Sequence, residues 1–132
     1  MDASVALGWL ADDPPVAYAL RVQRLMIGGL QPVVPVHWHL EIANALLVAE
    51  RRKVLHRKRA EILNDIVAFL PFVESDDLLD DVGRVIGIGQ RQQLTAYDAA
   101  YVALAARRNL SLATQNTAML SAARSLKIPI VR

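Results

Sequence analysis

Pro32-Val33-Val34-Pro35-Val36-His37-Trp38-His39-Leu40-Glu41-Ile42-Ala43-Asn44-Ala45-Leu46 is the stretch that decides the fold. Its first five residues form a short β-rich run, with prolines where strand ends tolerate them. From Trp38 onward apolar positions recur at helical spacing, which predicts an amphipathic helix over residues 38–52. A strand feeding straight into a helix is half of a β-α-β unit. Towards the C-terminus the alternation continues: helix 57–70, strand 72–74, a helix over 78–92 weakened by Gly83, Gly87 and Gly89, helix 95–108, strand 110–114, helix 117–126 and strand 128–131. Towards the N-terminus a helix over 16–27 stops at Gly28-Gly29, and a short helix over 4–10 stops at Asp12-Asp13-Pro14-Pro15. Short β runs joined by crossover-length helices predict an α/β fold, a parallel sheet with helices on both faces. The length of 132 residues fits one domain.

The hydrophobic fraction of 54% is ample for a core, which argues against disorder. No apolar run reaches the ~18–20 residues of a membrane span. No basic leader precedes Asp2, and there is no cysteine, so disulfides and thiolate metal sites are excluded. A soluble cytoplasmic protein is the expectation. The net charge of +2 does not by itself imply nucleic acid. Its distribution is more suggestive: Arg51, Arg52, Lys53, His56, Arg57, Lys58 and Arg59 crowd one region, while acids gather at Asp76, Asp77, Asp80 and Asp81. A basic patch can guide a polyanion, although charge runs are more often solvated faces.

Three acids enter apolar helices: Asp2 before Ala3-Ser4-Val5-Ala6-Leu7, Glu41 before Ile42-Ala43-Asn44-Ala45-Leu46, and Asp98 before Ala99-Ala100-Tyr101-Val102. Burying an ionised carboxylate costs several kcal/mol without compensation. One divalent cation shared by all three would compensate, and hard oxygen ligands suit Mg²⁺ or Mn²⁺. Each acid also has an ordinary reading. Thr95-x-x-Asp98 matches a capping box, Asp2 can be an N-cap and Glu41 a first-turn acid. Asn44 shares a helix face with Glu41, and Ser4, Thr114 and Asn116 stand near predicted strand or helix ends. His37 and His39 have no supporting ligand pattern for zinc. The chain has no G-x-S-x-G elbow and no phosphate loop.

Four segments in register resemble PIN-domain proteins of the VapC toxin type: residues 2–10, 34–46, 94–105 and 112–116. The resemblance implies a three-layer α/β fold with acids converging at one end of a parallel sheet. It also implies Mg²⁺- or Mn²⁺-dependent cleavage of RNA, a homodimer, and a small antitoxin that blocks the site. On this match Asp2, Glu41 and Asp98 are the catalytic acids, Asp2 and Asp98 hold metal, and Ser4, Asn44, Thr114 and Asn116 support them. Two departures stand out. The family usually carries a hydrophobic central strand before the first acid, and here only Met1 precedes Asp2, so the expectation is that translation starts upstream of Met1. The family often has a fourth acid where this chain has Asn116, which favours one well-held ion over two. The expected chemistry is hydrolysis to 5′-phosphate and 3′-hydroxyl ends. A catalytically weak binding module and a DNA-directed nuclease are the competing readings.

Overall fold

The computed structural model describes residues 1–10, 14–55, 61, 63, 65, 67, 68, 70, 72–75 and 81–132. The elements in chain order are α1 (Ala3–Leu10), α2 (Ala17–Ile27), β1 (Val33–Pro35), α3 (Trp38–Arg51), β2 (Val73–Ser75), α4 (Val82–Gln92), α5 (Ala96–Arg107) and α6 (Thr117–Ser125). Glu61, Leu63, Asp65, Val67 and Ala68 are also helical, within the expected helix over 57–70. The basic stretch 56–60 and the acids at 76–80 lie outside the described residues.

Helix α5 is the hub. Ala99 to Ala105 are all buried, a helix apolar on every side. It packs against α4, α6 and β1, while α1 packs against α2 and α3. Its alanines allow close approach: a Cβ built on Gly89 of α4 would stand 3.8 Å from the Ala99 methyl. That packing explains why α4 forms despite three glycines, each costing about 1 kcal/mol of helix propensity. Asp81 caps α4 by accepting from the Arg84 amide and from Arg84 Nε at 2.6 Å. Helices α3, α4, α5 and α6 are followed within two residues by a left-handed side-chain-bearing residue, Lys53, Gln93, Asn109 and Lys127, where glycine is the commoner choice.

The sheet is smaller than the sequence predicts. β1 and β2 pair in parallel, Val33 with Val73 through Pro35 with Ser75. The strands expected over 110–114 and 128–131 reduce, among the described residues, to one parallel bridge between Leu112 and Ile130. The backbone of Met1 and Asp2 runs between these two pieces. The Met1 amino group donates to the Val33 carbonyl at 2.8 Å, and the Asp2 amide donates to the Ala113 carbonyl at 2.9 Å. The parallel direction and the β-α alternation agree with the reading; the extent of the sheet does not.

Candidate metal centre

Asp2 is buried, at 7% exposure, and its carboxylate is dressed by short-range donors. Oδ2 accepts from Ser4 Oγ at 2.5 Å and from Thr114 Oγ1 at 2.7 Å, and Oδ1 accepts from the Ser4 amide at 3.3 Å. The last bond makes Asp2 an N-cap of α1 as well. Thr114 is buried and itself accepts from the Asn116 amide at 3.0 Å. The Asn116 side chain then donates through Nδ2 to Asp98 Oδ1 at 3.4 Å. A continuous polar path therefore joins Asp2 to Asp98 across the segment between α5 and α6.

Thr95 caps α5 by accepting from the Asp98 amide at 3.1 Å, so half of the capping box forms. The Asp98 carboxylate instead meets Asn116. The position thus serves the helix through its backbone and the site through its side chain. Asn116 is occupied on both sides. Its Oδ1 accepts from the amides of Ala118 and Met119, capping α6, which leaves its N–H edge for Asp98.

Glu41 lies in the first turn of α3 and accepts a hydrogen bond at Oε2 from the Tyr101 hydroxyl of α5. Burial raises its proton affinity above the ordinary carboxylate range; the Tyr101 bond opposes that rise, and the charges of Asp2 and Asp98 add to it. Asp2 and Asp98 thus both act on Glu41. Burial and the Glu41 contact push the Tyr101 hydroxyl upward in turn. His37 packs edge-on against Tyr101, with ring centroids 5.1 Å apart, and burial lowers its proton affinity.

Six of the seven residues singled out from sequence therefore belong to one neighbourhood. Asn44 is exposed on α3 and stands apart from the network. Two contributors escaped the sequence reading. Tyr101 looks like core in an alanine-rich helix, and Gln115, which donates to the Ser4 carbonyl at 2.8 Å, has no motif of its own. A tyrosine one turn after Asp98 on a buried helix was the available signal for the first.

The donor set is all oxygen, which suits Mg²⁺ or Mn²⁺. Among the described residues no three His, Cys, Asp or Glu side chains form a ready cage for an ion. The fit is thus to an ion held by few protein oxygens and completed by water, which is how Mg²⁺ is commonly bound. No described helix is long and apolar enough to cross a membrane.

No curated protein matches the chain. A family model described as the PIN domain matches residues 1–125. Proteins with this domain are in general metal-dependent nucleases, often toxins, and commonly bind divalent ions such as Mg²⁺. The matched span includes Asp2, Glu41, Asp98 and the polar path between them, and on that match the chain is a member of the PIN-domain family.

Proposed function

We propose that this protein is an Mg²⁺- or Mn²⁺-dependent endoribonuclease, the toxin of a toxin–antitoxin pair, acting as a homodimer in the cytoplasm and restrained by a small antitoxin protein. The observation that carries the reading is the path Asp2–Thr114–Asn116–Asp98, set against a Glu41 that feels both end charges. Asp2 and Asp98 would hold the ion, which supplies charge neutralisation at the scissile phosphate and a more acidic water. Ser4 and Thr114 fix the Asp2 rotamer. Asn116 orients Asp98, and Asn44, one helical turn from Glu41 on α3, is the supporting residue expected from sequence. Glu41, with a raised proton affinity, orients the attacking water and takes its proton. Hydrolysis of this kind leaves a 5′-phosphate and a 3′-hydroxyl.

The test is cleavage of RNA and DNA oligonucleotides by purified protein with Mg²⁺, with Mn²⁺ and with EDTA. Cleavage of RNA alone, lost in EDTA and in a folded Asp98→Asn variant, is expected. Full activity in EDTA, or products ending in 2′,3′-cyclic phosphate, would contradict the mechanism. A second reading has its own support: Glu41 Oε2 is engaged by the Tyr101 hydroxyl. On that reading the chain binds antitoxin or RNA without efficient catalysis, and the same assay returns no metal-dependent products.

A further inference from the structure

Tyr97 stands at the edge of the candidate centre and is open to solvent. It lies in the first turn of α5, directly before Asp98, and is 64% exposed. The helix beyond it, Ala99 to Ala105, is the buried hub. Two further rings tie Tyr97 to the acids. Its ring centroid lies 5.6 Å from that of His37, and the His37 ring lies 5.1 Å from that of Tyr101. Tyr101 in turn donates its hydroxyl hydrogen bond to Glu41. A row of three rings therefore runs from the Glu41 carboxylate to the surface.

The row braces Tyr97 without covering it. His37 meets both tyrosines edge-on, with interplanar angles of 61° and 75°. An edge contact of this kind occupies at most one face of a ring. Nε2 of His37 is buried and has no hydrogen-bond partner among the described residues, so packing, not a polar contact at that atom, sets its place. A tyrosine held this way offers a flat π surface at low entropic cost, since it has only two side-chain torsions to order. Apolar groups scattered singly over a surface are ordinary. An open ring braced from the site side, one residue from Asp98, has a ligand chemistry to match. Nucleic-acid bases stack on such rings, and every base has a π face to offer.

The position also limits what can dock. Tyr97 and Asp98 are consecutive residues of one helical turn. A phosphate placed at the acid centre therefore brings the base of its own or the adjoining nucleotide within reach of the ring. Bases inside a duplex are already stacked on both faces, whereas an unpaired base can be splayed onto a side chain. We propose that Tyr97, braced by His37, is a stacking platform for one unpaired base of single-stranded RNA, the base beside the phosphate at the acid centre. The inference rests on the nuclease reading for the place of the phosphate and adds the kind of nucleotide admitted there. Stacking strength grows with the size of the base, so the platform favours a purine.

The probe is a uridine decamer carrying one central 2-aminopurine, whose fluorescence falls when the base stacks, titrated with the 132-residue protein in Ca²⁺ instead of Mg²⁺. Saturable quenching is expected. Tyr97→Leu keeps apolar bulk without a π face. It should bind roughly tenfold more weakly, the size of one base–aromatic stack, and lose the quenching. Tyr97→Trp should retain both. The exposure of Tyr97 leaves the melting temperature of each variant near that of the parent. A decamer with an abasic site in place of the 2-aminopurine should bind parent and Tyr97→Leu alike, which closes a double-mutant cycle. Absence of quenching by the parent, equal affinity of parent and Tyr97→Leu for the 2-aminopurine decamer, or the same gap on the abasic decamer would each overturn the proposal. Cleavage in Mg²⁺ reports separately on the nuclease reading. A protein that cuts RNA without the Tyr97 effect loses the platform alone, and one that shows the Tyr97 effect without cutting loses the nuclease alone.

Discussion

Asn116 shows how one residue can carry several duties. Its oxygen caps α6, its backbone amide bonds to Thr114 and its side-chain amide reaches Asp98. Asn116→Asp keeps the cap, because aspartate and asparagine are about equal there. It exchanges a donor facing Asp98 for a like charge. We expect tighter Mn²⁺ binding by calorimetry and a metal-free protein that melts lower; unchanged metal affinity would place Asn116 outside the centre. Tyr101 acts on Glu41 in the opposite sense. Its hydroxyl bond lowers the Glu41 proton affinity against burial, so Tyr101→Phe lets that affinity rise further. The acid limb of the pH–rate profile should then move to higher pH, with a smaller change at the plateau; a static limb would remove Glu41 from the rate-determining chemistry. The three acids were legible in sequence because each interrupts an apolar helix start. Tyr101 and Gln115 were not, because a hydroxyl on a buried helix and an amide in a connecting segment acquire meaning only from what lies across from them.

Helices α1 and α2 meet at Gly8. A Cβ there would lie 2.6 Å from Gln115 Nε2 and 3.0 Å from the Ala19 methyl. Gly8→Ala gains about 1 kcal/mol of helix propensity but overpacks a contact that typically costs 1–3 kcal/mol. Net destabilisation of about 1 kcal/mol by urea melts is expected, with Gln115 displaced from the Ser4 carbonyl; a more stable variant would show that α1 has room to shift. At this scale the sequence was informative. Helical spacing and caps place α2, α3, α5 and α6 within a residue or two, because periodicity and capping are local. The strands were overestimated for the opposite reason. A β run becomes a strand only if it is paired along its length, and among the described residues the runs 110–114 and 128–131 meet at a single bridge.

Taken whole, the molecule links its stability to pH through Glu41, whose raised proton affinity contributes stability that is lost as pH increases above the ordinary carboxylate range. Metal-free thermal melts across that range should fall as pH increases, and a flat profile would mean that Glu41 is solvated. The parallel direction of the sheet and the burial of α5 followed from the chain's pattern. Asp2 gives its amide to the sheet and its carboxylate to the acid cluster. One residue therefore ties the acid cluster to the sheet edge, so a shift of residues 112–114 also moves a carboxylate of the candidate centre.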